Sequence, residues 1–253
     1  MTGKKSISVG DIFTNKDGCV AKVISWVSWE NITIQFQDSY GFIKVVRSDS
    51  IRNGAFRNPY RKSCLGVGYI GDGKYSTRSG GSKSTIYIHW LGAMTRSYSN
   101  RYKSLKPTYQ DCTVCEEWHD FQNFAGWVEK QTGFDKGYHL DKDLIVKGNK
   151  IYSPETCVLL PSDINMILTS SKAKRGDSPI GVSFHKAKGK YCSSIRIENK
   201  LKHLGTFNTP EEAFYAYKEA KENYIKEVAN KYKDQIDIRA YEALMKYEVN
   251  IDD

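Results

Sequence analysis

The stretch from Tyr138 to Cys157, YHLDKDLIVKGNKIYSPETC, holds the side chains whose types and spacing are best suited to chemistry. A histidine can deprotonate water, while carboxylate and amide oxygens can hold a hard divalent cation against a phosphate. These groups surround a Lys-Gly-Asn turn in a chain whose formal net charge is +9. The stretch therefore predicts a site where a base and a metal ion face one phosphate, with these candidate members: His139, Asp141, Asp143, Asn149 and Glu155.

A compact frame is predicted to position these side chains. Alternating residues in 137–145 predict a strand, 146–149 a hairpin turn and 150–152 the return strand. Ser153 as the N-cap and Pro154 at the first helical position predict a helix directly afterwards. Two strands and a short helix would place the base and the metal ligands close together.

The charge is unevenly distributed along the chain. Residues 1–107 hold 17 basic and 6 acidic residues, 108–175 hold 8 and 10, and 176–235 hold 11 and 8. Basic flanks can hold phosphates while central carboxylates hold a cation, which is typical of a nuclease. Ordinary solvated surface charge is the alternative interpretation.

The segments HLDKDL, GNKIYSPETC and CEEWHDFQNFAGW resemble phage-encoded HNH-type endonucleases, which are relatives of homing endonucleases. That resemblance covers about residues 66–169 and implies a ββα-metal fold that hydrolyses DNA with Mg²⁺ or another divalent cation. It implies His139 as the general base, Asp141 or Asp143 as the metal ligand, and Asn149 as a brace of the loop.

Two alternatives remain within this resemblance. Thr156 stands near the place where the family's helix offers Asn or His, so Glu155 is a further candidate ligand. If Asp141 is aligned with the family's acid, the base position becomes Lys142. A catalytically degenerate protein that binds DNA or a host protein partner is the alternative function.

The C-terminal part predicts three short strands, in 180–186, 189–198 and 201–207, followed by a helix. Thr209-Pro-Glu-Glu212 is a capping box with Pro at the first helical position, so the helix should begin at Pro210. Apolar residues at helical spacing in 235–253 predict a short helix that packs back on the body.

The segments GKYCSSIRI and LGTFNTPEEAFYAY resemble an AP2 DNA-binding domain. In that family the three-stranded sheet enters the major groove of duplex DNA and the helix braces it from behind. Arg196 is the best candidate for a bidentate contact to guanine. The resemblance implies these DNA-binding residues: Ser183, His185, Lys190, Ser194, Arg196, Lys202 and His203.

The first 60 residues alternate turns with short β-rich runs and predict four or five strands. VGDIFTNKDGCVAKVI and DSYGF resemble the SH3-like module that precedes such phage nuclease domains. The predicted fold class is therefore a multidomain α+β protein. Its predicted parts are an SH3-like β-barrel (1–60), an HNH-like ββα-metal domain (61–172), an AP2-like domain (176–235) and a C-terminal helical tail (236–253).

Composition limits where the protein is expected to act. No apolar run approaches the length that spans a bilayer, and the start MTGKKS has no apolar core of the signal-peptide kind. We therefore expect a cytoplasmic protein, in the host cell if it is phage-encoded. The predicted function is a divalent-metal-dependent HNH-type DNA endonuclease, and a preference for RNA would appear as binding to single strands.

Overall fold

The computed structural model describes residues 6–169 and 178–253. It is a mixed α+β protein, as predicted, and it divides into two compact units. One unit comprises Met1–Gln110 and Val114–Gly126, and the other Asp111–Thr113 and Trp127–Asp253. The predicted boundary at residue 60 falls inside the first unit, and the one at 172–176 lies outside the described residues.

The first unit begins with a four-stranded antiparallel sheet in which each strand pairs with its neighbours along the chain. Its core contains Val23, Ile34, Phe36 and Phe56. The predicted strand content is confirmed, but the predicted barrel is wrong, because the sheet stays open with its first and last strands as edges. β1 has three residues and β4 has four, so the two edges offer few backbone groups that could pair with each other. The strands are β1 (Ile12–Thr14), β2 (Val20–Ser28), β3 (Asn31–Phe36) and β4 (Ile43–Val46).

In the remainder of the first unit, helices are joined by turns, loops and one short strand pair. Its elements are α1 (Ser48–Arg52), β5 (Arg78–Ser79), β6 (Ser82–Lys83), α2 (Thr85–Tyr98) and α3 (Asn100–Leu105). The boundary between the units falls within β7 (Thr113–Val114) and α4 (Phe121–Val128). Four apolar side chains of α4 and that of Trp118, shortly before it, are fully buried: Trp118, Phe121, Phe124, Ala125 and Val128.

The second unit carries all the predicted site residues. Its strands are β8 (His139–Asp141), β9 (Ile151–Tyr152), β10 (Val158–Leu160), β11 (Val182–His185), β12 (Lys190–Ile197) and β13 (Lys200–Phe207). Its helices are α5 (Ser162–Leu168), α6 (Pro210–Lys231) and α7 (Ile238–Met245).

The predicted hairpin around residues 146–149 is wrong. β8 pairs antiparallel with β10, with Asp141 opposite Val158 and His139 opposite Leu160, and not with β9. Val158–Leu160 is buried throughout, so pairing with it covers more apolar surface than pairing with the half-exposed β9 would. The ββα order is therefore made by β8, β10 and α5.

The helix predicted to begin at Pro154 is also wrong. Residues 154–156 form a turn, in which the Thr156 hydroxyl donates to the Ile151 carbonyl (2.8 Å) and lies 3.1 Å from the Ser153 hydroxyl. These local side-chain contacts compete with helical hydrogen bonds. The helix begins instead at Ser162, directly after Pro161.

The predicted C-terminal strands and helix are confirmed. β11, β12 and β13 form an antiparallel sheet in that order, and α6 packs against all three strands. α6 begins at Pro210, where the Thr209 hydroxyl accepts the N–H of Glu212 (3.2 Å) and the Glu212 carboxylate accepts the N–H of Thr209 (3.3 Å). The predicted tail helix is α7, which contacts α6. Among the described residues, no helix has both the length and the apolar character needed to cross a bilayer.

Gly181 allows the sheet to meet α6 closely, which leads to a stability prediction. Its φ is +76°, and a methyl group there would overlap the Tyr217 ring. We expect Gly181→Ala to lower the free energy of unfolding by about 2–5 kcal/mol, measured by urea denaturation. Gly189, at φ +59°, has nothing within 4 Å of its missing side chain. Gly189→Ala should therefore cost only about 1–2 kcal/mol, and equal losses would contradict this account.

Candidate functional site

The first candidate site is the face of the β11–β13 sheet that α6 does not cover, called here the outer face. Strand alternation places two registered pairs on it, Ser183 opposite Cys192 and Ser194 opposite His203. All of its side chains are exposed except the half-buried Cys192 and Ser194. The following residues share this face: Ser183, His185, Lys190, Cys192, Ser194, Arg196, Leu201, His203 and Thr206.

The opposite face explains why these side chains point outward. Val182 and Ile195 pack with Ala213, Phe214 and Tyr217 of α6 in one buried cluster. Since successive residues of a strand point to opposite sides, burying this set leaves the polar set exposed. The structure thus places six of the seven predicted DNA-binding residues on one surface.

Lys202 is the exception among the predicted DNA-binding residues. It lies opposite Ile195, and that register belongs to the face covered by α6. A register shift between Ser193 and Ser194 accommodates an extra residue in β13. The bulge could not be anticipated from alternation alone, because one inserted residue moves every later side chain to the other face.

The charge of this sheet has one sign. Residues 182–197 and 200–207 contain six Lys or Arg and no Asp or Glu. Among the described residues, the guanidinium of Arg196 and the ammonium of Lys190 have no hydrogen-bond or ion-pair partner. A cationic surface whose charges are not neutralised internally attracts a polyanion.

Polar groups of the outer face also contact one another. The Thr206 hydroxyl lies 3.5 Å from Nε2 of His203 and 3.8 Å from Sγ of Cys192. The aromatic side chains Phe184, Tyr191 and Phe207 lie in register on the other face. The outer face therefore offers donors and acceptors without aromatic rings other than histidine.

The second candidate site is the segment that includes β8, β10 and α5. His139 is exposed at the start of β8, and α5 contacts β8. The loop between the strands is held by Asn149, whose Nδ2 donates to the carbonyls of Lys142 (2.8 Å) and Ile151 (2.7 Å). Its Oδ1 accepts the N–H of Ile151 (3.1 Å). The Asn149 side chain thus ties the two ends of this loop together.

The predicted metal ligands Asp141 and Asp143 are already engaged by the protein. Oδ1 of Asp141 accepts the N–H groups of Asp143 (2.9 Å) and Leu144 (2.8 Å). Burial raises the pKa of the Asp141 carboxyl, although these hydrogen bonds oppose the shift. The Asp143 carboxylate forms an ion pair with the ammonium of Lys142.

Lys142 supplies a cation where the sequence predicted a metal ion. Its side chain is only 5% exposed, and its ammonium donates to the Asn149 carbonyl (2.7 Å) as well as to Asp143. An ammonium in this position neutralises the carboxylate and would repel a second cation. One alignment of the sequence predicts Lys142 as the base, but its ammonium donates to two acceptors, the Asp143 carboxylate and the Asn149 carbonyl.

Glu155, the third predicted ligand, stands apart from the other two acids. It is exposed, and a hydrogen bond with Ser153 lowers the pKa of its carboxyl. Within the described ranges, no three His, Cys, Asp or Glu side chains form a group able to hold a metal ion. The set Asp141, Asp143 and Glu155 is therefore not assembled, and its donors do not fit the divalent ion predicted for them.

Sequence reasoning missed two polar residues near this segment. Asn165 is half-buried on α5, the helix that follows the strand pair, whereas the sequence placed that position near Thr156. Pro161 at the end of the apolar run 158–160 is the signal that would have located the helix start. Arg239, on α7, contacts the same loop from a distant part of the sequence.

A cleft of about 660 Å³ lies between α5, α6 and the β12–β13 turn. Asp163 of α5, Arg196 of the sheet and Lys221 of α6 are among its lining residues. The end of the sheet where β12 turns into β13 thus lies next to α5.

Comparison with known proteins adds nothing to this geometry, because no protein-family model, curated protein or solved structure matches the chain.

Proposed function

We propose that this chain binds duplex DNA through the outer face of the β11–β13 sheet. The observation that supports this most strongly is the exposed, acid-free cationic surface backed by α6. The major groove of B-DNA admits a β-ribbon, and the release of counterions from phosphates favours binding by Lys and Arg. The resemblance to AP2 domains supports the same surface.

Individual side chains of this face take different roles in the proposal. Arg196 has the planar donor fork that reads O6 and N7 of guanine. Lys186 and Lys188, in the turn between β11 and β12, and Lys190 at the start of β12 contact phosphates, which position the protein without reading sequence. The shorter side chains of Ser183, Ser194, His185 and His203 add polar contacts to the DNA.

Duplex DNA fits this face better than single-stranded nucleic acid does. Proteins that grip single strands stack the bases on exposed aromatic rings. In this sheet Tyr191 and Phe207 pack with the α6 cluster, and Phe184, which is half exposed, lies in register with Tyr191 on that same side and not on the outer face. The outer face offers polar groups and two cations, Lys190 and Arg196, that have no partner among the described residues, which suits base edges and phosphates.

Fluorescence anisotropy with a labelled duplex, a single strand and an RNA of equal length tests the proposal. We expect tighter binding to the duplex, with log K falling linearly with log salt at a slope of about −0.9 for each phosphate contacted. A preference for the single strand or the RNA would overturn the assignment, as would affinity that does not respond to salt.

A second candidate function is that the chain itself cuts the DNA it binds, as an HNH-type endonuclease of phage origin. It is favoured by the exposed His139 on a ββα segment that belongs to the same compact unit as the sheet. In this proposal His139 removes a proton from the attacking water. The alternative is a protein that binds DNA or a host partner without cutting it.

Supercoiled plasmid separates these functions. The purified chain is incubated with plasmid and Mg²⁺, Mn²⁺ or EDTA, and nicked and linear products are measured over time beside the binding titration. Nicking that requires the chain supports the endonuclease. Salt-sensitive binding with an intact plasmid under every condition supports the non-cutting alternative.

A further inference from the structure

The C-terminal tail, residues 236–253, contacts the 142–157 loop, which follows the strand that carries His139. The guanidinium of Arg239 donates to three backbone carbonyls, those of Pro154 (3.2 Å), Glu155 (3.3 Å) and Cys157 (3.4 Å). These carbonyls belong to the turn that precedes β10. One side chain of the tail thus holds a turn more than 80 residues earlier in the chain.

Asp237 orients this guanidinium. It caps α7 by accepting the N–H of Arg239 (2.8 Å), and its carboxylate also accepts from Nε (3.2 Å) and Nη2 (3.0 Å) of the same residue. A fixed planar fork loses little conformational freedom when it binds further acceptors. Arg239 is therefore presented to the turn in a defined orientation.

The opposite side of the loop is held by the end of the tail. The Lys147 ammonium donates to the Glu248 carbonyl (3.1 Å) and to the Asp253 carboxylate (2.8 Å), and it lies over the Tyr247 ring. The tail thus binds the loop at two separate places, the 154–157 turn and Lys147. Removing one contact should leave the other in place.

The same tail is fixed to α6, behind the DNA-binding sheet. The Lys218 ammonium donates to the Val249 carbonyl (2.9 Å), and the Glu222 carboxylate accepts the Val249 N–H (2.9 Å). The Val249 side chain is 3% exposed and packs in the core shared by β11, β12 and α6. The tail is thus part of the structure that supports the outer face.

We infer that the tail is a positioning element that holds the 142–157 loop in a fixed place relative to α6, with Arg239 as its main positioning residue. This inference rests on the proposed function, because the position of the loop affects function only if DNA bound to the sheet is presented to His139. The tail touches neither DNA nor the reacting atoms. Its role is to fix the distance between the two sites.

Hydrogen exchange tests this inference without any need for activity. In Arg239→Gln we expect the amides of residues 153–157 to exchange about tenfold faster or more, because the turn loses charge-assisted hydrogen bonds. Exchange in β12 and β13 should stay as in the wild type. Lys246→Gln, at an exposed cation of the same tail, is the matched control and should change neither region.

Unaltered exchange at 153–157 in Arg239→Gln would overturn the inference. So would an equal rise across the whole second unit, which would indicate a general stabilising role. Lys147→Gln gives a second readout, since it should speed exchange only on the 142–149 side of the loop. Adding guanidinium chloride at non-denaturing concentration should restore protection in Arg239→Ala, and no restoration would argue against positioning by the guanidinium.

DNA measurements show whether positioning affects function. Arg239→Gln should bind duplex DNA within about twofold of the wild type, while any single-turnover cleavage rate at saturating DNA falls about tenfold or more. A parallel loss of affinity would contradict a role confined to the loop. A wild-type chain that neither binds nor cuts DNA would remove the proposed function, whereas the exchange results would still decide whether the tail holds the loop.

Discussion

The double variant Lys190→Ala, Arg196→Ala should bind duplex DNA about 100-fold more weakly than the wild-type chain. Both side chains project from the outer face, and neither has a partner among the described residues that would compensate for its loss. A bidentate Arg contact to guanine contributes about 1–3 kcal/mol, and each lost phosphate contact lowers the salt slope by about 1. Anisotropy titrations at several salt concentrations measure both quantities.

The same sheet provides a control with an identical change in charge. Lys200 and Lys202 lie opposite Ile197 and Ile195, so their register belongs to the face covered by α6. Lys200→Ala, Lys202→Ala should weaken binding by only a few-fold, through the loss of long-range attraction. If both double variants lose affinity equally, the chain attracts DNA by net charge and the outer face is not a specific contact.

His139→Ala should reduce cleavage at saturating DNA by a factor of about 10²–10⁴ while leaving the affinity for the duplex within about twofold. His139 is exposed at the start of β8, so its ring is open to solvent and its removal creates no buried cavity. The measurement is a single-turnover nicking assay beside a binding titration. Unchanged cutting would remove His139 from the mechanism.

Another exposed histidine of the same unit serves as the control for this prediction. His203 lies on the outer face, within 3.5 Å of the Thr206 hydroxyl. His203→Ala should weaken DNA binding slightly and leave the rate at saturating DNA close to that of the wild type. If His203→Ala lowers the rate as much as His139→Ala does, the assignment of His139 as the base and of His203 as a DNA contact is contradicted.

The C-terminal sheet and helix could be predicted from sequence because their signals are local. Strand alternation separates Ile195 from Arg196, and a capping box at Thr209 fixes the start of α6. Each signal spans only a few residues. The exposed cationic face follows directly from them, and only the bulge in β13 decides which of the adjacent residues Lys202 and His203 lies on it.

The surroundings of His139 could not be predicted in the same way. β8 pairs with β10 and not with β9, although β9 is nearer in sequence. Burying the three apolar residues of β10 stabilises this pairing more than a short hairpin connection to β9 would. The burial of Lys142 follows from acceptors supplied by Asp143 and Asn149 once the loop has closed. Arg239 reaches the loop from the far end of the chain. Such contacts depend on tertiary packing, which no short pattern encodes.

Amide chemical-shift mapping during titration with a short duplex tests the central claim most directly. The account predicts that shifts concentrate on residues of the outer face, including Ser183, Cys192, Arg196 and His203, and that the exposed side of α6 stays unperturbed. Shifts centred on α6, or on the first unit with β11–β13 unchanged, would contradict the assignment of the DNA-binding surface.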